Sequence, residues 1–250
     1  TGVQTCALPI YRSMEGNTEG SDNTALGMQA MLASTTGSQN TAVGSKSMMT
    51  NTYGQNNTAV GYQSLYNNTY GGSNVGVGLG ALYQNTTGSN NTSVGQQALT
   101  NNTGGINNSA FGFQSMFTNT IGDYAAAVGQ QTLYSNTTGD ANVAVGYQAL
   151  YNNTTGRLNV AIGNGLPGIT SAPLQYNSVG SSNVAIGAGT LSGSLVDNLT
   201  AVGAFSLGSN TTGAYNVAFG YGALNQNTIG QQNTAVGYSA LNLSTTATRL

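Results

Sequence analysis

The chain has 250 residues, of which 38% are apolar and only 4% charged, with a formal net charge of −2 and no histidine. Four Lys and Arg residues provide no basic face for nucleic acid, and no apolar run approaches the length of a membrane span. Without histidine, the common metal ligands and nucleophile–base pairs are missing. The composition therefore predicts a protein that is not an enzyme and binds no metal or cofactor.

The two ends of the chain differ from the rest. Residues 1–10, TGVQTCALPI, match a translation of the end of a common sequencing-adapter oligonucleotide, and we interpret them as an artefact. A signal-peptide remnant is the alternative, but the segment lacks a basic start and a long apolar stretch. Cys6, the single cysteine, lies in it. Residues 11–22 are predicted to be a polar lead-in, and residues 248–250 a truncated or linker end.

A 17-residue repeat fills residues 23–163 and resumes over residues 183–247. Each copy contains an N-x-A-V motif or a close variant of it, such as NVGV at 74–77 or NSAF at 108–111, followed by a glycine that we call the signature glycine. The signature glycines are Gly27, Gly44, Gly61, Gly78, Gly95, Gly112, Gly129, Gly146, Gly163, Gly187, Gly203, Gly220 and Gly237.

Equivalent positions of successive repeats form columns, and each column has its own character. A β-branched residue usually precedes the signature glycine, Leu or Met follows it four residues later, and small residues lie between. Alternation of β-branched with small residues is typical of a strand, and the NNTTG segments are typical of turns. We expect the valine and leucine columns to supply the apolar residues that each repeat buries.

The short period selects the fold class, because pairs of helices need about 33 residues or more. We predict an all-β parallel β-solenoid of about thirteen 17-residue repeats, with two short strands and two turns in each. We call one turn of this coil a rung. A single helical turn at 147–151, YQALY, is the alternative for that part of the rung.

Residues 164–182, NGLPGITSAPLQYNSVGSS, interrupt the repeat. This segment contains Pro167 and Pro173, and proline cannot donate a hydrogen bond to a strand ladder. We therefore expect it to leave the solenoid as a surface loop, where limited proteolysis cleaves first.

The motifs NTAVG at 57–61, NVAVG at 142–146 and NVAIG at 159–163 resemble the repeats of trimeric autotransporter adhesin heads of the YadA-like type. Similar repeats occur in bacteriophage tail fibres. The resemblance implies a left-handed β-roll, a homotrimer, and a non-enzymatic extracellular fibre on a bacterial surface or virion. It also implies a host-surface protein or glycan as partner. The heads usually have a shorter repeat than this chain, which leaves the cross-section and ligand open.

Two tyrosine columns are candidate ligand-facing residues, because exposed aromatic rings can stack against sugars. Packing of the rings between rungs or subunits is the favoured alternative. These tyrosines are Tyr62, Tyr66, Tyr83, Tyr134, Tyr147, Tyr151, Tyr221 and Tyr238.

Asp123 and Asp140 lie one repeat apart and are expected to be neighbours on one edge. A calcium site needs more oxygen ligands, so a solvated pair is favoured. Asn85 and Asn136 begin N-x-T sequons, for which stacked asparagine side chains are the alternative to glycosylation.

The small-residue columns carry the prediction about assembly. Ala144, Ala149 and their equivalents would allow close approach of neighbouring subunits. We expect a parallel homotrimer with these columns facing the partner chains. The alternative function is a free-standing monomeric solenoid that binds polysaccharide or, through a Thr-rich face, ice.

Overall fold

The computed structural model describes residues 11–166, 168 and 170–250, so the predicted artefact at 1–10 and Pro167 lie outside the described residues. The chain is a parallel β-solenoid of about twelve turns, in which thirteen strands of three residues form one sheet in sequence order. The strands are β1 Thr24–Leu26, β2 Thr41–Val43, β3 Thr58–Val60, β4 Val75–Val77, β5 Thr92–Val94, β6 Ser109–Phe111, β7 Ala126–Val128, β8 Val143–Val145, β9 Val160–Ile162, β10 Val184–Ile186, β11 Thr200–Val202, β12 Val217–Phe219 and β13 Thr234–Val236.

Strand register follows the sequence repeat. Thr41 pairs with Thr58 and Val43 with Val60, so each residue lies beside its equivalent in the next rung. The same pairing holds across the insertion, where Val160 pairs with Val184. The repeat therefore places like residues in columns parallel to the solenoid axis, as the period predicts.

Each rung contains one strand, so the prediction of two strands was wrong. The rest of the rung is a series of turns in which Gln148 and Leu150 have φ of +57° and +54°. Positive φ at these residues also excludes the helical turn proposed for 147–151. The turns are still joined between rungs, since the Leu133 amide donates to the Ala149 carbonyl at 3.0 Å.

The interior is narrow and is filled by small residues and one large apolar column. Within the rung that begins at Asn142, Ala144, Ala149 and Leu150 are completely buried. Val145 is 37% exposed, so the expectation that the valine column is buried was wrong. In a strand of three residues the middle side chain points opposite to its neighbours, and here the middle residue points inward.

Two columns of asparagine complete the interior. Most repeats have a second glycine ten residues after the signature glycine, such as Gly71 and Gly105, which we call the turn glycine. We call the asparagines that directly precede the strands strand asparagines, and those three residues before the turn glycines turn asparagines. Oδ1 of the strand asparagine Asn57 accepts a hydrogen bond from the backbone amide of Asn74 at 2.9 Å, and Nδ2 of Asn57 donates to the Gly71 carbonyl at 2.9 Å. The turn asparagine Asn102 donates to Asn85 Oδ1 at 2.8 Å and to the Gly105 carbonyl at 3.0 Å. These buried amides are hydrogen-bonded along the axis, as in stacked cross-β structures.

Serine interrupts the turn-asparagine column at Ser34, whose hydroxyl is buried without a hydrogen-bond partner. Asn177 Oδ1, which faces Ser194 in the next rung, is also buried and unpaired. Serine is too short to continue the chain of amide–amide hydrogen bonds. Every interruption therefore leaves polar atoms unsatisfied in the interior, at a cost of about 1–3 kcal/mol each.

We predict that Ser34→Asn stabilises the protein by about 1 kcal/mol, because the new amide joins the Asn17 and Asn51 side chains. The measurement is the midpoint of thermal unfolding followed by circular dichroism. Ser34→Ala is the control, since it removes the unpaired hydroxyl without adding an amide. A gain from Ser34→Asn no larger than that from Ser34→Ala would contradict the prediction.

The insertion that leaves the stack is shorter than the 164–182 segment expected to do so, and its described residues are Leu166, Gly168 and Thr170. Ala172 is completely buried and the Ser171 carbonyl accepts the Gly189 amide, so the stack resumes there. Leu174 is buried in the leucine column, and Asn177 donates to Asn153 Oδ1 at 3.1 Å. Pro173 occupies the position that Ala98 has in its own rung. The Ala98 amide donates within the turn, to the Gly95 carbonyl, so a proline at this position removes no hydrogen bond between rungs. The bond to the preceding rung uses the Pro173 carbonyl, which accepts from the Leu150 amide at 3.2 Å.

Limited proteolysis is expected to cleave first within residues 166–170, because Leu166 and Gly168 are exposed there and lie outside the stack. The cleavage site is identified by mass spectrometry of the first products. Cleavage distributed evenly over the NNTTG turns would contradict this prediction.

Both ends of the described chain are stacked on the solenoid. Gly16 in the predicted lead-in donates its amide to the Leu32 carbonyl at 2.8 Å, so residues 11–22 form part of a rung. At the other end, the Leu250 amide donates to Asn233 Oδ1 at 3.0 Å, and the Thr234 amide donates to the Leu250 carbonyl at 3.0 Å. Residues 248–250 therefore continue the stack and do not form a linker, which was one of the two alternatives expected for them.

Candidate interaction surfaces

The first surface is formed by the outer side chains of the strands. We call the first and third residues of β1–β13 the sheet face, and none of them is buried. It consists mainly of Thr, Val and Ile, with Leu26, Ser109 and Ala126 and with Phe111 and Phe219, which are 40% and 52% exposed, and it contains no charged residue. It is therefore a flat, neutral and largely apolar strip along the whole solenoid.

The dimensions of the sheet face can be estimated from strand geometry. Three residues span about 10 Å, and thirteen rungs at about 4.8 Å extend on the order of 60 Å. The product, about 600 Å², equals the largest apolar patches that ordinary monomers expose. Patches of this size mark interaction sites more often than inert surface.

The small-residue columns cannot form an interface between subunits. Ala144 and Ala149 are completely buried against their own chain, as are their equivalents in most other rungs. The expectation that these columns face partner chains was wrong. Small residues are needed there because the opposite walls of a narrow rung lie close together, which the sequence pattern alone does not distinguish from close approach of a second chain.

Most of the candidate tyrosines stack on one another between rungs. The ring centroids are 5.0 Å apart in Tyr66–Tyr83 and in Tyr134–Tyr151, with interplanar angles of 14° and 4°. Their faces are thus directed along the axis, and within each pair they cover one another. A sugar cannot stack on a covered ring face. The further pairs Tyr221–Tyr238, Tyr53–Tyr70 and Phe117–Tyr134 are stacked in the same way.

Tyr62 and Tyr147 differ from the stacked tyrosines. Within the described part of the chain neither ring has an aromatic partner in a stack, and Tyr62 is 46% exposed. Tyr147 lies near Tyr151, whose pKa is raised by burial and, to a smaller extent, by Tyr134 and Tyr147. Tyr147 is therefore a candidate for stacking its ring face against a ligand, a contact that the covered faces of the stacked tyrosines cannot make.

A column of glutamines lies two residues after the signature glycine. Gln148 donates to Gln131 Oε1 at 3.0 Å, and Gln175 donates to Gln148 Oε1 at 3.0 Å across the insertion. The same bonds join Gln114 to Gln97 and Gln131 to Gln114. The sequence analysis did not assign these residues a role, although their recurrence every 17 residues is visible in the sequence. Their side chains are fixed by one another in a line beside the aromatic stacks.

Asp123 and Asp140 are neighbours on one edge, and each binds the backbone of the preceding rung. Asp140 Oδ1 accepts the Asp123 amide at 3.0 Å, and Asp123 Oδ1 accepts the Ile106 amide at 2.7 Å. Arg157 Nε lies 3.4 Å from Asp140 Oδ2. The described residues contain no cluster of three or more acidic, Cys or His side chains that could hold a metal ion. These aspartates therefore have a structural explanation.

The sequon asparagines named above are buried turn asparagines. Asn85 and Asn136 are completely inaccessible, and each donates to the turn asparagine of the preceding rung, at 2.7 Å in both cases. A glycan cannot be attached to these two side chains in the folded chain.

Within the described ranges, no helix has the length and apolar character needed to cross a membrane. Comparisons with protein-family models, curated proteins and solved structures find no match. The class of protein is thus defined by the fold itself, a parallel β-solenoid with an exposed apolar sheet face.

Proposed function

We propose that this chain is a segment of a non-enzymatic extracellular fibre, either an adhesin head or a phage tail-fibre shaft. The observation that carries the proposal is the sheet face, which runs without interruption along all thirteen strands. A stack of nearly identical rungs generates length and stiffness. The motif resemblance supports a left-handed β-roll and a location on a bacterial surface or virion.

The sheet face is proposed to bind two further copies of this chain in a parallel homotrimer. A second copy has the same rung spacing, so parallel chains place equivalent rungs side by side along the whole strip. Because the strip is neutral, its burial leaves no charge unpaired. An area of about 600 Å² in each chain is close to the 800 Å² that each partner typically buries in a stable interface.

The double substitution Val128→Lys and Val145→Lys tests this interface. Two ammonium groups on adjacent rungs of the sheet face cannot be buried unpaired, so we expect a folded monomer where the unmodified chain is a trimer. Sedimentation equilibrium gives the mass, and circular dichroism confirms that the solenoid is retained.

Thr138→Lys and Thr155→Lys form the matched control, because these residues also lie one rung apart but on an outward turn. We expect the control to remain trimeric. Equal masses for the two double variants would contradict the role of the sheet face.

A free-standing solenoid that binds ice or polysaccharide is the alternative, and one observation favours it. The sheet face carries outward threonines at Thr41, Thr58 and Thr92. In a monomer this flat face would stay free for a crystalline or polymeric ligand. Thermal hysteresis of a monomeric preparation would support this alternative against the fibre.

A further inference from the structure

The insertion that follows Gly165 creates a notch on the glutamine and tyrosine side of the solenoid. A cavity of about 260 Å³ lies between the insertion and the rungs before and after it, lined by Tyr147, Gln148, Thr170, Ser171, Gln175 and Tyr176. With about 30 Å³ for each water in the liquid, this is room for about nine waters, which corresponds to one sugar ring.

The walls of the notch are held in place by hydrogen bonds. Leu166 and Thr170 exchange two backbone hydrogen bonds of 2.9 and 3.0 Å, which form the outer edge of the insertion. The Ser171 carbonyl accepts the Gly189 amide at 2.8 Å, which joins the base of the insertion to the next rung. On the opposite side, Gln148 and Gln175 are fixed by their mutual side-chain bond.

The described side chains that line the notch are the two tyrosines, two glutamine amides, two hydroxyls and the apolar Leu166, and none of them is charged. The rings of Tyr147 and Tyr176 belong to no stack within the described residues, in contrast to Tyr134 and Tyr151. The Thr170 hydroxyl accepts the Leu166 amide at 3.1 Å and keeps its own proton for donation. The Ser171 hydroxyl is half-buried and has no partner in the described structure.

We propose that this notch binds one residue of a neutral saccharide. An amphipathic pyranose presents C–H groups to a tyrosine ring and hydroxyls to amides and hydroxyls, which is the chemistry that Tyr147, Gln148 and Ser171 provide. An anionic sugar or a phosphate would find no cationic side chain among the lining residues. The proposal deepens the adhesive role proposed above, since it gives the fibre a ligand class, and it rests on that role for its biological meaning.

Saturation-transfer NMR with the methyl glycosides of glucose, galactose, mannose and N-acetylglucosamine tests the notch. A single sugar ring in an open site is expected to bind with a Kd on the order of 1 mM, so each probe is used at about 10 mM. We expect transfer to at least one glycoside with the unmodified chain. Absence of transfer to all four would overturn the proposal.

Tyr147→Ala and Tyr62→Ala form a matched pair, because both tyrosines follow a signature glycine in nearly identical repeats, but only Tyr147 lines the notch. We expect Tyr147→Ala to reduce the transfer at least tenfold and Tyr62→Ala to leave it unchanged. Equal losses in the two variants would place the binding on the general tyrosine surface and overturn the notch.

Deletion of residues 166–172 provides a second variant, since it shortens the 24-residue interval from Gly163 to Gly187 to the regular 17. The deleted chain is expected to stay folded by circular dichroism and to lose the transfer. Retained transfer would overturn the notch. The oligomeric state is a separate measurement, so a monomer that binds the sugar would refute the trimer and leave the notch standing.

Discussion

Gly112→Ala is expected to destabilise the protein by roughly 3 kcal/mol or more. Gly112 has φ of +133°, a conformation that residues with a side chain rarely adopt. A Cβ built there would lie 2.5 Å from the Gly129 carbonyl oxygen and 2.7 Å from its carbon. Both contacts are with the backbone of the next rung, which cannot move aside without breaking the strand pairing.

The measurement for Gly112→Ala is chemical denaturation followed by circular dichroism. Since a solenoid is held by contacts between neighbouring rungs, we expect the defect to separate the transition into two, one for each flank. Gly193→Ala is the control, because a Cβ at Gly193 meets no atom within 4 Å. A loss of stability in Gly112→Ala as small as in Gly193→Ala would contradict close backbone packing at the signature glycines.

Asn102→Ala is expected to lower the free energy of unfolding by about 3 kcal/mol, although it replaces a polar residue with an apolar one. The Asn102 side chain donates to Asn85 and to the Gly105 carbonyl, and it accepts from Asn119 at 2.8 Å. Removing it leaves Asn85 Oδ1 without a partner and one N–H of Asn119 unpaired, while Asn119 keeps its bond to the Gly122 carbonyl. Each buried polar group left unpaired costs about 1–3 kcal/mol.

The neighbouring Asn101 is the matched control for this prediction. Its side chain has no hydrogen bond within the described structure, and only its backbone amide is used, donating to the Phe117 carbonyl at 3.2 Å. Asn101→Ala is therefore expected to change the unfolding free energy by less than about 0.5 kcal/mol. Equal effects of the two substitutions in denaturant titrations would show that the buried amide column does not stabilise the solenoid.

The solenoid could be predicted from the sequence because the same motif recurs at a constant interval. A motif such as NVAVG recurring every 17 residues fixes the register of Val143 against Val160 and the column to which each residue belongs. Asn17 and Gly20 follow the same period, since they lie 17 residues before Ser34 and Gly37. Sequence analysis missed this rung because the strand motif is not present in residues 11–22.

The direction in which each column points could not be predicted from composition. Ala144 and Val145 are both compatible with an interior, and an open core would have favoured the larger residue. The rung is narrow, so alanine is buried and valine exposed. Asn102 shows a second limit, because asparagine in an NNTTG segment indicates a surface turn. Its burial becomes favourable only when the next rung supplies an identical amide to bond with.

For the candidate sites, too, the repeat predicts which residues are neighbours but not how their side chains are oriented. The period predicts that Tyr134 lies over Tyr151, but only the ring orientation shows that their faces cover each other. The notch at the insertion arises where the period fails, so the repeat carries no information about its shape. After the insertion, the side chain of Gln175 continues the hydrogen bonds of the glutamine column by donating to Gln148, which lies 27 residues earlier in the chain. Such a contact cannot be inferred from a 17-residue repeat.

The mass of the chain in solution tests the central claim most directly. Sedimentation equilibrium or light scattering at micromolar concentration is predicted to give three times the chain mass of 25.2 kDa, with the three sheet faces buried together. A folded, heat-stable species of 25.2 kDa would contradict the trimeric fibre and favour the free-standing solenoid.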